Sequence, residues 1–295
     1  MIGQFFGNYL LNTGFISREN FLKAMELKRN SHVKLGLLAI DAGYLTPEQV
    51  NMLHQKQQTV DKKLGDLAVE MNLLTKEQVD ELLQRQSNSY LSFAQTLVEH
   101  GFLTDAQLNQ ALADYKKKYS LSDKDFVSEQ SESIKAILAD FYGFESCGQE
   151  DIYIKYIELL FKNIVRFVGD DFIPLLPAEL SEYDMNWNIQ QQIVGKVNLL
   201  TVMEASKNSF MKFAERYADD DSNMQKDYAQ DAVGDFLNLH NGLFIVNLSS
   251  ENSLELYLKP QESRNPGIVR FKKEIICLPL CFFFGIVNIL LINQD

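Results

Sequence analysis

The stretch DAVGDFLNLHNG, residues 231–242, holds the polar side chains whose spacing most invites chemistry. Asp231, Asp235, Asn238 and Gly242 recur at intervals of four, three and four, so a helix places them on one face. Carboxylates on such a face can meet a cation, and an amide can hold a water or an anionic oxygen. Taken alone, the face is either simply solvated or touches a partner. Gly234 costs a helix interior about 1 kcal/mol relative to alanine, and a residue that costly usually has a reason. His240 and Asn241 follow and make the helix end polar, and Gly242 reads as its stop. Other chemistries find little footing. His32, His54 and His100 stand singly, and Cys147, Cys277 and Cys281 form no CxxC pair. There is no glycine-rich phosphate loop and no Ser/His/Asp arrangement. Trp187, beside an expected strand, reads as core.

The elements that must position this face begin at Asp151. DIYIKYIELLFKNIVRFVG has helical apolar spacing and ends at Gly169, and a loop with two prolines follows. IQQQIVGKVNLLTVME alternates as a strand, and SKNSFMKFAERYA is a serine-capped amphipathic helix before the acidic turn at 219–221. After the motif helix, LFIVNLS, SLELYLK, GIVRFKKEIICLPL and FFFGIVNILLI read as strands. Ile275 to Ile292 is nearly uncharged and close to a membrane span in length. Pro279, Gly285 and Asn288 interrupt it, so it is expected to form two buried strands joined at Gly285. The fold class is α+β with an antiparallel sheet.

That element order, with Asp231, Ala232, Gly234, Asn238 and Gly242 in the third helix, resembles the CheC/CheX family of chemotaxis phosphatases over about residues 150–295. A single copy of the motif points to the CheX branch. The resemblance implies docking of a phosphorylated CheY-like receiver, which brings its own Mg²⁺, and hydrolysis of its aspartyl phosphate. Asn238 would then orient the attacking water, with Asp235 standing where the family has glutamate. Asp231, Gly234 and Gly242 would contact the partner, and the domain would form a homodimer. The alternative is a non-enzymatic adaptor for a receiver or for a pilus or secretion component.

The first 120 residues are internally repetitive. GNYLLNTGFISRENF, GLLAIDAGYLTPEQV, GDLAVEMNLLTKEQV and AQTLVEHGFLTDAQL begin at Gly7, Gly36, Gly65 and Ala94, a fixed period of 29. Each unit reads as two short helices. The first stops at Gly14, Gly43, Asn72 or Gly101, and the second is capped by Ser17, Thr46, Thr75 or Thr104. Residues 34–57 and 63–86 resemble the paired cyclic di-GMP-binding motifs in the N-terminal domain of type II secretion and type IV pilus assembly ATPases. That resemblance implies ligand roles for Lys34, Gly36, Gln57, Lys63, Gly65 and Gln86, with lysines where the family has arginines.

Charge divides the chain similarly. Residues 1–119 carry 13 basic and 13 acidic side chains, leaving 15 and 27 for the remainder and a net charge of −12. A chain so acidic is not expected to bind a nucleic acid polymer. No export signal is read at the N-terminus, no membrane insertion is expected, and the setting is expected to be cytoplasmic. The domains expected are a helical repeat domain at 1–118, a linker with a short helix at 119–150, and the α+β domain at 151–295. The lysine triplet 116–118 reads as a charged helix end. Beyond cyclic di-GMP as a regulatory ligand, no cofactor of the chain's own is expected.

Overall fold

The structure is a computed structural model that describes residues 2–27, 34–57, 60, 62–84, 89–121, 131–142, 150–220, 225–252 and 255–294. It divides into two compact units, Ile2–Ser133 and Ile134–Asp295.

The first unit is built from helix pairs. They are α1 (Gln4–Asn12) with α2 (Arg18–Leu27), α3 (Leu35–Asp41) with α4 (Pro47–Gln57), α5 (Leu64–Glu70) with α6 (Lys76–Gln84), and α7 (Ser89–Glu99) with α8 (Asp105–Lys118). Each pair turns on a left-handed residue: Gly14, Gly43, Asn72 and Gly101 have φ of 75°, 68°, 55° and 70°. Glycine, or asparagine in its place, is the residue that adopts this conformation at least cost. The next helix then starts on a reciprocal cap. The Thr46 N–H donates to Gln49 Oε1 at 2.8 Å, and Thr75 and Thr104 repeat the bond to Gln78 and Gln107 at 2.8 and 2.9 Å. The core is aromatic at one end, with Phe21 edge-on to Phe93 and Phe6 edge-on to Tyr115. The lysine triplet lies in the last turn of α8, as a charged helix end should, and Lys116 is also bound there. Its Nζ donates to the Asp41 carbonyl at 3.0 Å.

The second unit follows α9 (Ser131–Tyr142) with α10 (Glu150–Phe167), β1 (Phe172–Pro174), β2 (Ala178–Met185), β3 (Trp187–Gly195) and β4 (Leu199–Ala205). Then come α11 (Lys207–Ala218), α12 (Lys226–Asn252), β5 (Leu256–Leu258), β6 (Gly267–Phe282) and β7 (Gly285–Asn293). Among the described residues the strands form one antiparallel sheet in the order β1-β6-β7-β4-β3-β5, with β2 also paired to β6. The architecture is therefore α+β. Helix α12 lies against β3 and packs on α10 and α11. On the opposite sheet face, Leu200 and Val202 join Met185, Ile275, Cys277, Leu290 and Ile292 in an apolar cluster. Every residue of β4 is buried, so side chains cover both faces of this strand.

The apolar run at 275–292 is strand, as its breakers suggested: β6 and β7 pair from Ile275↔Ile292 to Phe282↔Gly285, and Gly285 has φ of 130°. No helix among the described residues is long and apolar enough to cross a membrane.

Three expectations are overturned here. The proline-marked segment is not only loop, since β1 and β2 lie in it. IQQQIVGKVNLLTVME is not one strand but parts of β3 and β4, which turn back at residues 196–198 and pair antiparallel. The motif helix does not stop at Gly242, and LFIVNLS is not a strand. Helix α12 continues through it for 27 residues to Asn252. Phe236, His240, Phe244 and Leu248 are all buried at intervals of four, and that stripe carries the helix past the glycine.

Candidate functional site

The outward face of α12 carries the motif. Asp231, Asp235 and Asn238 are exposed and Gly242 is half-buried. The same three-and-four spacing continues beyond the motif to Tyr228 and Val246, which are 67% and 60% exposed. The face is thus polar at its centre and apolar at both ends, with Leu243 exposed beside it. A helix stop at Gly242 hides Val246 from sequence reasoning, and a motif read from Asp231 onward leaves out Tyr228. Gly234 is not on this face. It is buried, and a Cβ there would stand 2.8 Å from Gln261 Nε2, so the glycine admits the segment after β5 against the helix. At Gly242 a Cβ would meet nothing within 4 Å, and packing within the chain does not require this glycine. Asp235 lies near Tyr217, whose phenol is pushed up first by burial and then by the Asp235 carboxylate.

Beneath the exposed face runs a hydrogen-bonded relay that ends on Asn238. The Tyr156 hydroxyl donates to Asn241 Oδ1 at 3.0 Å. Asn241 Nδ2 donates to Gln191 Oε1 and to Thr201 Oγ1, each at 2.9 Å. Gln191 Nε2 donates to Asn238 Oδ1 at 2.8 Å and to the Lys259 carbonyl at 3.1 Å. Two backbone carbonyls fix the direction of the whole relay. Lys259 O can only accept, so the group facing it is the Gln191 NH₂. The Gln191 carbonyl accepts from Thr201 Oγ1 at 3.0 Å, which leaves that hydroxyl oxygen to accept from Asn241. Asn238 therefore turns its oxygen inward and its NH₂ outward, to solvent.

His240 and Asn241 do not form a polar helix end, for both are fully buried. Asn163 Nδ2 lies 3.1 Å from His240 Nδ1, which makes Nδ1 the acceptor and puts the ring proton on Nε2. That Nε2 is buried without a hydrogen-bond partner, and Tyr156 stands edge-on at 4.4 Å. Burial pushes the imidazole pKa down to about 3, so the ring is neutral at physiological pH. Of the relay, the sequence points to Asn238, and to Asn241 only as part of a polar helix end. The run Gln190-Gln191-Gln192 in an alternating strand was the available signal, because a buried glutamine needs partners.

In the first unit, Lys34 and Lys63 are exposed residues just before α3 and α5, and Lys34 Nζ lies 3.2 Å from the Glu99 carboxylate. Gly36 is buried where α3 meets α4, and a Cβ there would stand 2.7 Å from Val50 Cγ1. Gly65 is somewhat less tight, with a Cβ 3.0 Å from both Leu35 and Val79. Gln57 Nε2 donates to the Lys62 carbonyl at 2.9 Å. Gln86 lies outside the described residues. Lys63 and Gly65 share a cleft of about 670 Å³ with Lys62, Lys76, Asp66 and Asp80, whereas Lys34, Gly36 and Gln57 do not line it.

No protein-family model and no curated protein matches the chain. Solved structures do. The chemotaxis protein CheX from Desulfovibrio desulfuricans is 17% identical with a TM-score of 0.43, over 49% of this chain and 99% of that one. The chemotaxis protein CheX from Vibrio vulnificus is 13% identical with a TM-score of 0.40, over 48% and 97%. A CheX–CheY–BeF₃–Mg²⁺ complex from Borrelia burgdorferi gives 10% identity and a TM-score of 0.38, over 48% and 96%.

Proposed function

We propose that the α12 face docks a phosphorylated receiver of the CheY kind and that Asn238 orients the water that hydrolyses its aspartyl phosphate. One observation carries this reading: Asn238 is exposed, yet its amide is held from below by a fixed relay. Phosphoryl transfer depends mainly on alignment and charge stabilisation, and the receiver supplies the Mg²⁺. A rigid amide at the water's position is therefore a useful contribution. Tyr228 and Val246 give the docking face apolar anchors on either side of the polar centre, and Asp231 and Asp235 give it negative charge. The test is phosphate release from a phosphorylated receiver, with Asn238→Ala beside the wild type. The wild type should exceed the receiver's own decay and the variant should lose most of the gain. If the wild type adds nothing to that decay, the enzymatic reading fails.

The adaptor reading draws support from Asp235. Its carboxylate is on the order of 1 Å shorter in reach than the glutamate of the family pattern. Docking tolerates that difference better than catalysis does. Two further parts of the proposal are cyclic di-GMP as a ligand of the first unit and a homodimer of the second. The cleft supports the former through Lys63 and Lys76, whose ammonium groups suit phosphate oxygens, while Lys62 is paired with Glu70 and Asp66 and Asp80 share the lining. Calorimetric titration of the chain with cyclic di-GMP tests it, and absence of heat at high micromolar ligand removes it. Sedimentation of the purified chain tests the dimer.

A further inference from the structure

We infer that Gln191 is a positioning residue for the hydrolytic step, setting which end of the Asn238 amide meets the partner; this rests on the reading of Asn238 as the residue that orients water. An asparagine on a helix surface ordinarily turns about χ2 and offers its oxygen and its NH₂ alternately. Here one choice is removed. Gln191 is 2% exposed on β3, and both hydrogens of its Nε2 are used, one on Asn238 Oδ1 and one on the Lys259 carbonyl. Its own oxygen is held by Asn241 Nδ2. Gln191 thus has no second orientation. The outer end of Asn238 is a hydrogen-bond donor by construction. A donor at that point can bind one lone pair of the water and leave the other free to attack phosphorus, or it can bind a phosphoryl oxygen. The sheet thus selects the polarity that the helix presents.

Gln191→Glu reverses that selection with almost no change of shape. An ionised glutamate at this site accepts only, so at a pH high enough to ionise the buried carboxyl it keeps the bond from Asn241 but offers no hydrogen to Asn238 or Lys259. Asn238 then turns its NH₂ inward to the carboxylate and presents oxygen outward. Gln191→Met removes the bonds without the charge and leaves Asn238 free to turn, so it tests the inference if the carboxylate variant does not fold. Gln192→Glu, the same change on the neighbouring residue, whose Oε1 accepts from Lys259 Nζ, is the control.

Two readouts on the full chain decide the matter. The first is the nitrogen–proton spectrum of the Asn238 side-chain amide, which needs no partner. In the wild type its hydrogens should exchange freely with water. In Gln191→Glu one of them should move downfield and exchange more slowly, while Gln192→Glu leaves both unchanged. The second is receiver dephosphorylation. Gln191→Glu should lower kcat by about a hundredfold, the loss also expected of Asn238→Ala, with KM held within about twofold, and Gln191→Met by about tenfold. Unchanged Asn238 amide resonances in Gln191→Glu, or wild-type kcat in both Gln191 variants, overturn the inference. If the wild type does not hydrolyse the phosphate at all, the proposed function fails, and the spectrum alone decides whether Gln191 sets the amide.

Discussion

His240 and Asp235 make opposite demands on their surroundings. His240 is neutral because burial holds its pKa near 3, against 6.5 for an ordinary histidine. The unfolded chain therefore takes up the proton first, and stability falls as pH drops below 6.5 and goes on falling toward 3. The expected slope is about 1.4 kcal/mol per pH unit, or about 2 kcal/mol between pH 7 and pH 5. Denaturant midpoints at those two pH values measure it, and His240→Gln should flatten the difference. Asp235 is open to solvent, and its expected defect is reach. Asp235→Glu should raise receiver dephosphorylation, by up to about a hundredfold if a misplacement of about 1 Å is the whole fault. A fall in rate would show that the shorter carboxylate already fits.

Helix α12 shows how local grammar can mislead. Glycine after an amphipathic run is a good stop signal, and at Gly14, Gly43 and Gly101 the signal was right. Those glycines sit in left-handed turns that short helices need. Gly242 sits inside a helix that buries Phe244 and Leu248 against the same unit, and tertiary packing overrides the local cue. Strands β1 and β2 were hidden for a related reason. They contain Pro174, Glu182 and Asp184 and owe their pairing to β6, which lies far along the sequence, from Met185↔Gly267 to Phe172↔Phe282. The exposed motif was legible from spacing alone. The relay beneath it was not, because it needs β3 placed beside α12, which no short-range pattern states. Gly242→Ala separates structure from contact: it should raise stability by about 1 kcal/mol, since the helix gains propensity and the Cβ meets nothing within 4 Å. If the receiver approaches closely there, binding should weaken in the same variant. Gly36→Ala should act the other way on the first unit. A Cβ 2.7 Å from the stiff Val50 side chain should cost about 1–3 kcal/mol in thermal unfolding.

For the molecule as a whole, charge is the long-range property that matters most. Net charge is −12, and α12 adds two exposed carboxylates to the proposed docking face. Association with a receiver whose phosphorylation face is basic should be steered, so the on-rate should fall as salt rises, and Asp231→Asn should make that fall shallower. Stopped-flow mixing across a salt series measures both. The strand order carries a different consequence, one of timing. Strands β6 and β7, the last in the chain order of the sheet, lie inside it between β1 and β4. On a ribosome, β3 and β4 emerge long before the strand that must flank β4, and β1 waits for β6. The sheet therefore cannot close until Asn293 has left the exit tunnel, whereas the first unit waits only for α7 and α8, on which α1 and α2 pack. During that interval the α12 motif exists without its finished sheet, so the newborn chain should become competent for the proposed partner only after translation has passed β7.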